Sequence, residues 1–145
     1  MMPSNSGEFL ISLLNELRKL PNETEWLEYK VNLAEPEDIG EYISALSNSA
    51  ALCGKSQAYI VWGIDDKSHD NVGTSFIYRS AKVGNEELEN WLLRLLNPKI
   101  NFLFFEFTIE SKRISLLEID RAFRNPVQFK GVEFIRVGSY KKKLK

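Results

Sequence analysis

One cysteine and one histidine are the scarcest side chains of chemical interest in this 145-residue chain. Cys53 alone excludes an intrachain disulfide, and Cys53 with His69 cannot make a Cys/His zinc site. No apolar run approaches the roughly 18 residues of a membrane span. The first nine residues carry no basic n-region and no cleavage pattern, so no secretory signal is read there. Glycine (8) and proline (5) are too few for a linker or a low-complexity tract, and no segment repeats. These absences lead to the expectation of a cytoplasmic protein with no membrane partner. What remains is ordinary globular composition, 43% hydrophobic and 27% charged. It excludes disordered and collagen-like classes and suffices for one core.

The net charge of −1 conceals an asymmetry. Residues 1–111 hold 9 Lys/Arg against 17 Asp/Glu, a balance of −8. Residues 112–145 hold 10 against 3, a balance of +7. The basic part either meets an anionic partner or is neutralised by the acidic part within the fold.

Periodicity predicts a first helix over Gly7–Lys19, capped by Asn5 with Glu8 as its capping-box partner, and with Leu10, Leu13, Leu14 and Leu17 as its apolar stripe. Glu25–Val31 reads as a strand with Leu27, Tyr29 and Val31 on one side and Trp26, Glu28 and Lys30 on the other. Pro36, Glu37 and Asp38 suit the first turn of a second helix that buries Ile39, Ile43 and Leu46 and ends near Ala50–Leu52. The continuous apolar run Ala58–Ile64 predicts a strand covered on both faces, on which that helix packs. Asn85-Glu86-Glu87 opens a third helix with Leu88, Trp91, Leu92 and Leu95 on one face, stopped by Asn97-Pro98. Strands follow at Phe102–Glu110, Arg113–Asp120, Pro126–Phe129 and Val132–Val137, with turns at Ser111-Lys112 and Lys130-Gly131. The expected fold is α+β: a single two-layer domain with a mixed central sheet and about three helices. The terminal run Lys141-Lys142-Lys143-Leu144-Lys145 reads as a boundary beyond which another domain would begin.

Four segments carry a resemblance. Glu23-Thr24-Glu25-Trp26-Leu27-Glu28-Tyr29-Lys30 is similar to an E-x4-E-[FY]-K opening. Ile43–Ser49 is similar to a helix ending AFANT. Ile60-Val61-Trp62-Gly63-Ile64-Asp65-Asp66 with Val72-Gly73 is similar to hhhGVDD…hVG. Asn125–Phe129 followed by Phe134–Ser139 is similar to P-V-Y…YIRVGS. In this order, over about residues 21–140, they resemble the Schlafen-type, Alba-like domain family, often labelled DNA-binding. In bacteria that domain typically stands N-terminal in transcriptional regulators and RecG-like helicase-related proteins. The chain departs from the pattern after Asn48, where a usual Gly-Gly pair is replaced by a longer stretch with the single Gly54.

The resemblance implies a nucleic-acid-binding module with DNA or RNA as partner. Its cationic set would be Lys30, Arg121, Arg124, Lys130, Arg136, Lys141, Lys142 and Lys143, which neutralise phosphates, with Tyr140 stacking on a base. A lone Arg136 within a strand demands a carboxylate or a phosphate. The ribonucleolytic relatives imply an alternative, a metal-dependent endoribonuclease. There Glu23, Glu28 and Asp65 or Asp66 would be catalytic, with Glu23, Glu28 and Asp66 holding Mg²⁺ or Mn²⁺. A third alternative is an interaction or homo-oligomerisation domain. Gly54-Lys55-Ser56 lacks the upstream glycine of a phosphate loop, since Ser49 stands there. His69 is expected in solvent and Cys53 as a small buried or inert thiol. Phe104 and Phe105 face opposite sides of a strand, which leaves at least one of them a candidate for exposure.

Overall fold

The computed structural model describes residues 3–20 and 24–144. Its elements run α1 (Pro3–Leu17), β1 (Leu27–Lys30), α2 (Pro36–Leu52), β2 (Gln57–Trp62), a 3₁₀ turn at Tyr78–Ser80, β3 (Lys82–Val83) and β4 (Glu86–Glu87). They continue with α3 (Leu88–Leu95), β5 (Leu96–Asn97), β6 (Phe102–Ile109), β7 (Lys112–Asp120), β8 (Gln128–Phe129), β9 (Val132–Val137) and β10 (Tyr140–Lys143). This is the mixed α+β domain the sequence predicts, with three helices.

The main sheet has the order β1-β2-β7-β6, with β1 parallel to β2 and the other pairs antiparallel. As expected, β2 is an inner strand, and its Ile60, Val61 and Trp62 are completely buried. Alternation sends Tyr59 and Val61 toward Leu14 and Leu17 of α1, and Ala58, Ile60 and Trp62 toward Ile39, Ile43 and Leu46 of α2. Phe104 and Phe105 obey the same alternation, but both faces are covered. Phe104 joins the α2 core and Phe105 packs half-buried on the α1 side, so neither is left in solvent.

The second sheet, β10-β9-β8-β5, lies against the far side of α2. That side of α2 is polar yet buried, because it serves as a strand's partner. β8 is only two residues long, and beyond it β9 has an unpaired edge. Ser44 Oγ accepts from Phe134 N (3.0 Å) and donates to Val127 O (2.7 Å). Asn48 accepts from Val127 N (2.8 Å) and donates to Val127 O (3.1 Å) and Phe134 O (2.8 Å). Ser49 Oγ accepts from Arg136 N (2.9 Å). Three side chains at helical spacing thus do the work of a missing strand, as buried backbone groups require.

Several local expectations are corrected. α1 runs from Pro3 to Leu17, so it starts before the expected Gly7 and ends before Lys19; the side chain of Asn5, the expected cap, lies outside those described. Asn85 does not cap α3, because Glu86-Glu87 pair with Lys82-Val83 and Glu87 precedes the helix. The first hairpin turn is Glu110-Ser111, both at positive φ (52° and 66°), one residue before the expected Ser111-Lys112. Lys130-Gly131 is a turn as expected. Part of the basic run is a strand: Gly138-Ser139 turns the chain into β10, paired with β9. α2 ends on Gly54 at φ 72°, with Lys55 N donating to Ala50 O (2.8 Å), so one glycine suffices to stop the helix.

Gly40 marks the closest approach of α2 to the second sheet. A Cβ there would stand 2.2 Å from Phe129 Cε1, and Phe129 is itself buried. Gly40→Ala is expected to lower stability by about 1–3 kcal/mol, the usual cost of overpacking. Chemical denaturation of the two proteins side by side checks this; equal midpoints would show that the ring yields freely.

Candidate functional site

β1 is an edge strand, and the groups around its outer edge form the most chemically varied region of the molecule. A cleft of about 280 Å³ is lined by Leu27, Glu28, Tyr29, Asp66, Lys67, Arg136 and Ser139. Glu28 and Arg136 are both almost fully buried. Arg136 Nη2 lies 2.9 Å from Glu28 Oε1, and Nη1 donates to the edge carbonyl of Leu27 (2.7 Å). Lys30 Nζ lies 3.2 Å from Glu28 Oε2. One guanidinium therefore joins β1 of the main sheet to β9 of the second, and the demand that Arg136 makes in sequence is met by a carboxylate.

The same neutralisation runs along α2. Lys141 reaches back from β10 to Asp38 Oδ1 (2.9 Å) and Glu41 Oε1 (2.8 Å), with its ammonium 4.5 Å from the centre of the Tyr42 ring. Burial works against that charge, but the two carboxylates outweigh it and hold the Lys141 pKa above the ordinary 10.5. Lys30 follows the same logic: burial opposes its charge, Glu28 and Tyr42 outweigh burial, and its pKa is raised. Lys130 pairs with Glu37. A cation whose folded pKa is raised stabilises fully below its unfolded pKa and loses that contribution as pH rises through the folded value. Stability is thus expected to fall in the alkaline range above 10.5, less steeply in Lys141→Met, as thermal melts across that range would show.

Of the acidic set, Glu28 and Asp66 line the same cleft, while Asp65 does not. Asp65 is a turn residue. Its Oδ2 accepts from Ser68 N (2.9 Å), Lys67 N (3.0 Å) and Ser68 Oγ (3.1 Å), with the Ser68 amide foremost in holding its pKa below the usual 3.8. Gly63, at φ 109°, precedes it, and a Cβ there would strike Ile114 Cδ1 at 2.8 Å. Asp66 is exposed on the cleft rim, facing the same space as Glu28. Glu23 lies outside the described residues. Among the described residues no three His, Cys, Asp or Glu are gathered as a metal ion requires. Both Glu28 oxygens already face cations of the chain itself, which leaves little charge there for Mg²⁺ or Mn²⁺ to neutralise.

His69 is half-buried, not in open solvent. Its Nδ1 lies 2.9 Å from Arg18 O, and its ring sits 4.8 Å from that of Tyr29. Burial pushes the Tyr29 hydroxyl up to about 12. Cys53, expected buried or inert, is exposed at the end of α2.

The outer face of β9–β10 differs from the inner one. Phe134, Arg136 and Lys141 turn toward α2, so Ile135, Val137, Tyr140 and Lys142 point outward, with Val137 opposite Tyr140 and Ile135 opposite Lys142. Tyr140 is 76% exposed. Arg121, Arg124, Lys142 and Lys143 are exposed and carry no ion pair among the described residues. Leu144 and Arg124 share an apolar groove of about 230 Å³, which places the end of β10 beside the 122–126 segment. Of the expected cationic set, Lys30, Arg136, Lys130 and Lys141 are internally paired. Tyr140, Lys142, Lys143 and Arg124 are accessible. Lys67 and Ser139, which line the same cleft, were not singled out in the sequence as site residues; an isolated lysine in a polar loop gives no signal.

The sequence model of the family described as Schlafen, AlbA_2 matches residues 23–145. No curated protein matches the chain. The fold is similar to the crystal structure of the DIP2311 protein from Corynebacterium diphtheriae, with a TM-score of 0.56 and 14% identity. That match covers 94% of this chain and 26% of the other, so the chain spans about a quarter of that protein's length. It is also similar to the solution structure of the N-terminal domain of a RecG-related protein from Nitrosomonas europaea, with a TM-score of 0.53 and 18% identity, over 90% of this chain and 86% of the other. Among the described residues no helix is long and apolar enough to cross a membrane.

Proposed function

The chain belongs to the Schlafen, AlbA_2 family, and we propose that it is a nucleic-acid-binding module of a regulatory or helicase-related protein, with the open face of β9–β10 as its contact surface. One observation carries the reading. β10 segregates its cations: Lys141 is neutralised on the inner face, while Tyr140 and Lys142 stand exposed at adjacent same-face positions on the outer one. An exposed aromatic beside exposed cations can stack a base while the cations meet its phosphates. By the same alternation Lys143 turns to the α2 side, so it and Arg124 flank the face as exposed cations at one end, and Ser139 leads to Lys67 at the other. The naming of the Nitrosomonas relative as RecG-related and a DNA helicase supports the class of ligand. The reading is of binding, not of hydrolysis, because Glu28 is committed to Arg136 and Lys30.

Fluorescence anisotropy with labelled single-stranded and duplex oligonucleotides tests this. Tyr140→Ala is expected to weaken single-strand binding about tenfold, within the 1–3 kcal/mol of one base–aromatic stack, and duplex binding less. Equal affinity of wild type and variant for single strands would remove β10 from the interface.

A further inference from the structure

The edges of the two sheets are unequally protected. β10 carries three lysines, β5 has two residues, and β1 has its Leu27 carbonyl capped by Arg136 and the following Val31 carbonyl by Thr74. Such devices keep an edge from pairing with another chain. β6 has none of them. It is eight residues long, FLFFEFTI, without lysine, arginine, proline or glycine, and it ends the main sheet.

The register states which of its backbone groups are free. Asp120 N donates to Asn101 O (3.0 Å), so by alternation Leu103, Phe105, Phe107 and Ile109 turn their N–H and C=O to β7. Phe102, Phe104, Glu106 and Thr108 turn theirs outward, where no partner meets them among the described residues. On the α1 side, the stripe Leu103, Phe105, Phe107 and Ile109 is only partly covered. Leu103 is 57% exposed, and Phe9 of α1 is 64% exposed on the same side of the sheet.

We infer that β6 pairs antiparallel with β6 of a second copy of this chain, about a two-fold axis through Phe105. The strand selects both the occupant and the register. With Phe105 opposite its own copy, Phe102 faces Thr108 and Phe104 faces Glu106 of the second copy, and each of these pairs exchanges two hydrogen bonds. Every outward N–H and C=O of the strand is then satisfied. Leu103 meets Phe107 of the second copy, which joins the two apolar stripes. A shift that centres the axis on Glu106 sets two carboxylates opposite each other. A shift to Phe104 leaves Thr108 unpaired. The internal partners of Glu106, Arg113 (2.9 Å) and Arg79 (3.7 Å), remain in place in the chosen register. The main sheet of one copy continues into the other, a closed isologous dimer.

Light scattering of the eluting peak over a wide range of concentration reads the mass. Wild type is expected as a dimer, and Leu103→Lys as a monomer with an unchanged melting curve, since the exposed Leu103 contributes little to the monomer's core. Cross-linking reads the register in a Cys53→Ser background. Phe105→Cys is expected to form a disulfide-linked dimer, because facing residues of a non-hydrogen-bonded pair lie about 4.5 Å apart between Cα atoms. Leu103→Cys alone does not cross-link; mixed with Phe107→Cys it does. A wild type that is monomeric throughout, a Leu103→Lys protein that remains dimeric, or a Leu103→Cys chain that links to itself would each overturn the pairing.

Discussion

Arg136→Met is expected to lower unfolding stability by about 3 kcal/mol, the lower end of the 3–5 kcal/mol that follows when one partner of a buried ion pair is removed. The loss has two parts. Glu28 keeps a buried carboxylate with only Lys30, 3.2 Å away and partly solvated, to balance it. The Leu27 carbonyl also loses its donor at the edge of β1. Lys30 is the reason for choosing the lower end. Glu28→Met alone should cost a comparable amount, because the guanidinium is then the unpaired charge. The double variant Glu28→Met with Arg136→Met should recover most of the loss, since apolar replacement of both partners is often near neutral. Urea unfolding of the four proteins measures the coupling. A single-variant loss below about 0.5 kcal/mol, the ordinary surface range, would show that the pair does not clamp the sheets.

Asn48→Ala is the second large effect. Its carboxamide makes three buried hydrogen bonds to the backbone of Val127 and Phe134. Val127 O keeps its bond from Ser44 Oγ, so two backbone groups, Val127 N and Phe134 O, are left unsatisfied at about 1–3 kcal/mol each, and a loss of about 2–4 kcal/mol is expected. Asn48→Asp should be worse despite its equal size. It keeps the acceptor for Val127 N but sets a charge against the two carbonyls the amide served. Native-state hydrogen exchange locates the damage, with Phe134 and Arg136 amides losing protection before those of β2. Uniform loss across both sheets would mean that α2 and the second sheet open together.

The parts of the fold that were legible in sequence are those written in local pattern. The run Ala58–Ile64 announced a doubly covered strand, and Ile39, Ile43 and Leu46 the helix on it. Lys130-Gly131 carried its turn in a glycine, whereas Glu110-Ser111 adopted positive φ without one and was placed a residue late. β10 was hidden because three consecutive lysines carry no strand pattern and read as a boundary, and pairing with β9 depends on a turn at Gly138-Ser139. The site was legible as a set of residues but not as a geometry. Glu28 and Arg136 stand far apart in sequence, and no local rule states that they meet. Ser44, Asn48 and Ser49 were visible within a resembling segment. A polar helix face ordinarily reads as solvent-facing, and only the short β8 reveals why this one is buried.

The salt dependence of single-strand binding tests the proposed interface most directly. Each lysine that meets a phosphate contributes about 0.7 to the slope of log K against log salt. Lys142 and Lys143 are exposed and unpaired among the described residues, so Lys142→Gln with Lys143→Gln should reduce the wild-type slope by about 1.4 and weaken binding at every salt concentration. Lys130→Gln, whose charge is engaged by Glu37, should leave the slope unchanged. A wild type that fails to bind at low salt, or a double variant with the wild-type slope, would contradict a nucleic-acid contact on β10.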